Sequence, residues 1–247
     1  MSNVSNLSNL PDLSNYSDSS TFSVTSYLGK IQPFAGAEPS AIAKKAFQTP
    51  VYLTKLGLVG DEQAEKRFHG GPDRALCHYP REHYTYWQTT YPALADYFVA
   101  PGFGENISTL GMTESNTFIG DIYRWGNAII QVTQPRSPCY KLNFHLKIDD
   151  LSLQMQQTGF CGWLYRVISE GVVSPDAPLE RLSRNSNLSV KRAIDIAFNE
   201  PFDEANTRLV LQSAGLSASW CRTMQTRLLT REIESFEGRL FNNPHAK

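Results

Sequence analysis

The hydrophobic pattern changes period near residue 187. Before that point, short apolar runs are bounded by Gly and Pro; after it, apolar side chains recur every three or four positions. Thr21–Ile31 and Val51–Val59 carry β-branched and aromatic residues in such bounded runs and predict strands. Phe118–Trp125 and Ala128–Thr133 flank Gly126-Asn127, a dipeptide suited to a hairpin turn. Two helices interrupt the strands. Tyr84, Trp87, Tyr91, Leu94 and Phe98 step by three and four onto one face, and Pro92 either kinks that helix or starts another. Asp149–Thr158 has an Asp start and a Gly159 stop.

Beyond residue 187 the pattern predicts three helices. Ser189, Asp203 and Ser217 are suited to N-caps, and Gly215 to stopping the second helix. Trp220, Met224 and Leu228 recur every four residues, and Leu229, Ile233, Phe236 and Leu240 extend the third helix. Their aromatic and Met stripe reads as core packing. The expected fold is therefore α+β: a strand-rich unit over 21–184 with interrupting helices, then a small three-helix unit over 187–240. Residues 1–20 are dominated by Ser and Asn and read as a disordered tail, because they offer too little apolar surface to offset ordering.

Composition narrows the function classes. At 247 residues the chain can bury a core without disulfides or a structural metal. Its 23 Lys+Arg against 24 Asp+Glu give no global drive towards a nucleic acid polymer or an anionic membrane, and leave room for a local basic pocket. No apolar run reaches the roughly 18 residues of a membrane span. Cys77, Cys139, Cys161 and Cys221 form neither a C-x-x-C pair nor a disulfide framework. The N-terminus lacks the basic and apolar regions of a secretory signal, so a reducing cytoplasm is the expected compartment.

Three loops concentrate the chemistry. In His69-Gly70-Gly71-Pro72-Asp73-Arg74-Ala75-Leu76-Cys77-His78, paired glycines let backbone amides approach an anion and Arg74 adds a planar fork. The same residues also suit a plain Gly-Pro turn with a surface Arg. Zinc held by His69, Cys77, His78 and His83 fits no usual ligand spacing. Gly102-Phe103-Gly104-Glu105-Asn106 suits a loop around a polar ligand, or simply a tight turn. In Gln134-Pro135-Arg136-Ser137-Pro138-Cys139-Tyr140-Lys141, two prolines stiffen the chain and Cys139 stands between cations. Such flanks favour a functional thiolate, nucleophile or soft metal ligand, over a buried inert thiol. Cys77, Cys161 and Cys221 lack that setting and read as packing residues.

The combination HGGPDRALCHYPREHY, GFGENI and GDIYRWGNAIIQVTQPRSPCYKL resembles the MOSC family, named for the C-terminal domain of molybdenum cofactor sulfurase, and within it the stand-alone bacterial YiiM-type proteins. The resemblance covers residues 21–240. It implies a β-barrel-like domain holding a molybdenum–pterin cofactor, with Cys139 as metal ligand by its place in QPRSPCYKL. Gly70, Gly71, Arg74, Asn106, Arg136, Lys141 and Arg166 are the expected cofactor-binding residues, and His69 and His78 join Cys139 as candidate catalytic groups. The implied activity is two-electron reduction of N-hydroxylated compounds, with N-hydroxylated nucleobases as the small-molecule substrates. A separate reductase is expected to supply the electrons, since the chain carries no flavin or nicotinamide fingerprint. Pyridoxal phosphate is not expected, because the chain is too short for the sulfurase's second domain. A homodimer stays open. So do two other readings: a cofactor or sulfur carrier without turnover, and a metal-free thiol enzyme with His69 or His78 as base.

Overall fold

The computed structural model describes residues 20–34, 37–63 and 70–242. Its strands in chain order are β1 (Thr21–Phe22), β2 (Val24–Leu28), β3 (Gln32–Phe34), β4 (Ala37–Ser40), β5 (Lys45–Ala46), β6 (Val51–Thr54) and β7 (Gly57–Leu58). After the first loop come β8 (Leu76–Pro80), β9 (Ile107–Thr109), β10 (Ile122–Trp125), β11 (Ala128–Pro135), β12 (Trp163–Ser169), β13 (Gly171–Val173) and β14 (Leu179–Ser183). The α-helices are α1 (Glu82–Thr90), α2 (Tyr140–Leu146), α3 (Leu151–Thr158), α4 (Val190–Ile194), α5 (Glu204–Leu211), α6 (Ala218–Thr230) and α7 (Glu237–Phe241).

Nine strands form one sheet in the order β1-β14-β10-β11-β12-β8-β9-β2-β5. β8 and β9 pair in parallel, and the other neighbours pair antiparallel. The ladder ends at β1 and β5, so among the described residues the expected barrel is not closed by hydrogen bonds. Period-two burial explains its centre: Ala128, Ile130 and Val132 on β11 are fully buried, as are Trp163 and Tyr165 on β12.

That core continues into the helical part. Val190, Ile194, Trp220 and Met224 belong to the same buried cluster as Trp125, Ile130 and Tyr165. A second cluster lies under the helices of the strand-rich part, where Trp87 and Phe98 pack with Phe103, Leu142 and Met155. Trp87 satisfies its indole N–H on the Tyr79 hydroxyl at 2.7 Å, which removes the penalty of burying that donor.

Local signals translate well at the turns and caps. Gly126 adopts φ +57 in the β10–β11 hairpin. Ser189, Asp203 and Ser217 each accept a backbone N–H from the residue three positions on, as N-caps do. Pro92 starts a second segment, a 3-10 helix over Pro92–Tyr97, and Gly159 ends α3 in the left-handed region.

Other expectations change. Phe118 lies outside β10 and bridges to Ser189. The 51–59 run folds back on itself as β6 and β7. Helix α5 ends at Leu211, before Gly215, and α4 continues as a π-helical turn over Asp195–Asn199. The third helix does not run on to Leu240: Arg231 turns left-handed at φ 59, Leu229 is exposed, and the chain resumes helical form at Glu237. Residues 1–19 of the expected tail lie outside the described residues. Among the described residues no helix is long and apolar enough to cross a membrane.

Candidate functional site

A cavity of about 780 Å³ opens where the sheet, α2 and the C-terminal segment meet. The loop after β11 supplies much of its wall: Gln134, Arg136, Ser137, Cys139, Tyr140 and Lys141 all line it. Pro135 ends β11, and Cys139 has extended backbone immediately before α2. The short helix α2 had no signal in the hydrophobic pattern, yet it fixes where this loop goes. Its Leu142 and Leu146 are buried, and Asn143 bonds the Asp149 carbonyl at 2.7 Å and the Leu240 carbonyl at 2.9 Å.

Arg136 is the electrostatic centre of the wall. Burial opposes its charge, but the acidic groups of Cys77, Cys139 and Glu105 outweigh that, and its pKa stands above the ordinary arginine value. Its Nη1 is buried and has no hydrogen-bond partner among the described residues. Arg74 lines the same cavity and donates to Ser219 Oγ at 2.9 Å; Ser219 Oγ in turn donates to Gln134 Oε1 at 3.2 Å. Burial lowers the Arg74 pKa, and the nearby Arg222 adds to that while Asp73 opposes it.

Further wall comes from the loops that flank the N-terminal strands. Lys44 and Asp61 form an ion pair that is almost wholly buried and lines the cavity. Asp61 also accepts the Gly29 N–H at 2.7 Å and Asn106 Nδ2 at 2.8 Å. Asn106 lines the cavity as expected, but its amide is committed to the wall: it also bonds the Tyr27 carbonyl and accepts the Cys77 N–H. Behind it, Glu105 has no exposure and accepts from the Tyr84 hydroxyl at 2.6 Å and the Phe103 N–H at 3.2 Å. Burial pushes its carboxyl up to about 7.

The candidate residues thus separate. Cys139, Arg136, Lys141, Arg74 and Asn106 meet at one cavity. His78 does not line it: the side chain is fully buried, stacks on Trp163 at 4.1 Å, and has Nδ1 on the Tyr165 hydroxyl and Nε2 on Thr109 Oγ1. Burial holds its pKa well below the usual histidine value, so it is a neutral core group and not an accessible base. Arg166 also stands apart. It bonds Asp73, Gln131 and the Leu216 carbonyl, a lock between strands and helical part that leaves no phosphate-facing fork. Gly70 and Gly71 are not among the lining residues; Gly71 turns the chain at φ 98 into the Pro72–Arg74 turn. His69 lies outside the described residues. Among those described, no group of three or more His, Cys, Asp or Glu is arranged to hold a metal ion by itself.

Cys77 is the main residue that the sequence reading passed over. It lines the cavity, and its thiol pKa is raised by burial against the pull of Arg136. Lys44, Asp61 and Arg239 were also missed, since each reaches the site from a distant part of the chain.

Known proteins share this architecture. The MOSC domain model matches residues 65–180, and the model described as YiiM-like, 3-alpha helix domain matches residues 188–231. Protein YiiM of Escherichia coli (strain K12) is 58% identical over 220 residues, covering 89% of this chain and 98% of that protein. Uncharacterized protein YflK of Bacillus subtilis (strain 168) is 40% identical over 182 residues, covering 73% and 81%. The crystal structure of YiiM from Escherichia coli superposes with a TM-score of 0.79 at 51% identity, over 90% of this chain and 99% of that one. That of YiiM from Geobacillus stearothermophilus gives 0.70 at 35% identity, over 85% and 100%. With the sheet, the cation-lined cavity and the appended helices all in place, the chain belongs to the MOSC family, in the group that carries a YiiM-like three-helix domain.

Proposed function

We propose that the cavity holds a molybdenum cofactor, with Cys139 as its protein sulfur ligand, and that the chain reduces N-hydroxylated compounds, N-hydroxylated nucleobases in particular. The observation that carries this reading is Arg136, a cation in the cavity wall beside two thiols, with a buried Nη1 that has no partner among the described residues. A buried donor left unpaired costs about 1–3 kcal/mol, and more when charged, so such a group is suited to an anionic ligand from outside the protein. The cofactor's phosphate is such an anion, and Arg74 and Lys141 line the same cavity. Cys139 offers the soft donor that molybdenum favours. The MOSC domain is associated with this cofactor in general. A protein named "Reductase" from Gibberella moniliformis (strain M3125 / FGSC 7600) is 35% identical over 164 residues, which are 64% of this chain but 29% of that longer protein. Its name places a segment of this kind in a protein with redox chemistry.

When bound, the cofactor would supply the two-electron reduction that cleaves the substrate N–O bond. The chain's own residues bind and orient. Cys139 would hold the metal, and Arg136, Arg74 and Lys141 would clamp the anionic end. Ile42, Phe103, Leu142 and Leu164 give the cavity apolar walls, which exclude water and strengthen each charged contact. Glu105 holds a proton near neutrality, hydrogen-bonded to Tyr84, between cavity-lining Gly104 and Asn106. Electrons would come from a separate reductase in the cytoplasm.

The test uses wild type and Cys139→Ser, each purified from a host that makes the cofactor and a host that cannot. Pterin and molybdenum per chain are measured, with turnover of an N-hydroxylated nucleobase by a chemical reductant. Wild type should carry both and turn over; Cys139→Ser should lose turnover with its melting temperature unchanged. Full activity in Cys139→Ser would end the ligand assignment. Bound cofactor without turnover would replace the reductase with a carrier. A cofactor-free wild type with a reactive thiol would replace it with a thiol enzyme.

A further inference from the structure

The segment after the third helix is built into the cavity. Gly238, Arg239 and Asn242 line it, although the matched three-helix model ends at residue 231. Leu240 is buried, and its carbonyl accepts from Asn143 Nδ2 on α2 at 2.9 Å and Ser152 Oγ on α3 at 3.0 Å. Arg239 donates from Nη1 to the Pro138 carbonyl and from Nη2 to Gln156 Oε1, both at 2.5 Å. Its guanidinium also sits 4.9 Å from the Phe198 ring centroid and 5.1 Å from that of Phe236. Pro138 immediately precedes Cys139 in the chain. A planar guanidinium fork can hold two acceptors in fixed relation, which a lysine ammonium on a flexible stem cannot do as rigidly.

We propose that Arg239 is a positioning residue for Cys139: by clasping the Pro138 carbonyl and Gln156 together, it fixes the Cys139 loop and closes residues 236–242 as a strap over the cavity. The strap then governs retention of an anionic cofactor, a consequence that rests on the function proposed above. The clasp itself does not. Burial lowers the Arg239 pKa against the opposing pull of the Cys161 and Cys139 thiols. Burying a charge is unfavourable unless it is paired and hydrogen-bonded, and here the bonded partners belong to the loop and to α3.

The test compares full-length wild type, Arg239→Gln and Arg239→Lys. On cofactor-free protein, iodoacetamide alkylation of Cys139 is followed by peptide-resolved mass spectrometry. On protein from a cofactor-making host, pterin content is measured after gel filtration. In Arg239→Gln, Cys139 should react about tenfold faster, as expected for a local opening, with the melting temperature unchanged. Arg239→Lys should fall between the two, because it keeps the charge and one of the two bonds. Pterin retention should fall in the same order. Unchanged alkylation in Arg239→Gln overturns the clasp. So does a Lys variant no slower than the Gln variant, or acceleration accompanied by a matching loss of melting temperature. If wild type binds no pterin, the proposed function fails while the alkylation series still decides the clasp.

Discussion

The loops 70–78 and 134–141 carry similar ingredients, Pro, Arg, Cys and neighbouring polar groups, and the fold uses them in opposite ways. In the first, Asp73 takes Arg166 through one oxygen and the Ala218 N–H through the other, while its carbonyl accepts from Thr133 Oγ1. His78 is sealed between Tyr165 and Thr109. Arg74 and Cys77 are the members that line the cavity. In the second loop most side chains line the cavity, and Arg136 keeps a buried donor without an acceptor among the described residues. Residue type alone identifies polar chemistry. The inventory of partners decides whether that chemistry holds the fold together or is offered to a ligand.

Glu105, beside the second loop's Arg136, gives the largest expected change in stability. Its carboxyl is raised to about 7 chiefly by burial, so the protonated form is the one the fold prefers. The folded pKa exceeds the unfolded one; the associated stability is therefore complete below about 4.5 and is lost as pH rises through about 7. Glu105→Gln should match wild type near the acid end of this window. Above it the variant should be more stable by roughly 3 kcal/mol, measured as the difference in urea unfolding free energy. Parallel pH profiles for the two proteins would show that Glu105 is not the group responsible, and would weaken the contrast between a cavity side under electrostatic tension and a satisfied first loop.

Asp73 tests the satisfied side. Asp73→Ala removes the ion pair with Arg166 and the acceptor for Ala218, a contact between the sheet and the helical part. The expected loss is about 2 kcal/mol in urea unfolding, because a part-buried guanidinium and a backbone N–H lose their partner together. Pterin content per folded chain should hold. If pterin is lost while stability holds, Asp73 belongs with Arg74 among the residues that hold the ligand and not with the contacts that hold the fold.

Legibility in the sequence followed the range of the determining contacts. The Gly126-Asn127 hairpin and the caps Ser189, Asp203 and Ser217 are set within a few residues, and they were readable. The QPRSPC segment announced the cavity loop through its own prolines and cations. Cys77 reads as a packing residue because it has Arg74 three positions before it but no cation close on its other side and no proline-stiffened loop like that of Cys139; Arg136 reaches it through the fold. Arg239 meets Pro138 across 101 positions, a pairing with no local signature. His78 failed in the other direction: imidazole chemistry marked it as a base, while burial and two hydrogen bonds make it part of the core. The missing closure of the barrel was likewise hidden, since strand order depends on which edges meet and not on any strand's composition.

Gly71 gives the smallest and most discriminating test. The paired glycines of the first loop suggested backbone amides wrapped around an anion. In the structure Gly71 has φ 98 and ψ 171, a conformation close to glycine-only, where the chain enters the Pro72–Arg74 turn. A Cβ placed there meets no atom of the described residues within 4 Å, so Gly71→Ala adds backbone strain without a clash against them. The variant should lose about 1 kcal/mol of stability by urea unfolding, at the low end for such strain. Because the residue does not line the cavity, pterin retained after gel filtration should equal wild type. The glycine serves the turn on this account, and the turn places Asp73 and Arg74. Loss of pterin at undiminished stability would restore the cradle reading, with the first loop contributing backbone amides to the anion site as well as Arg74.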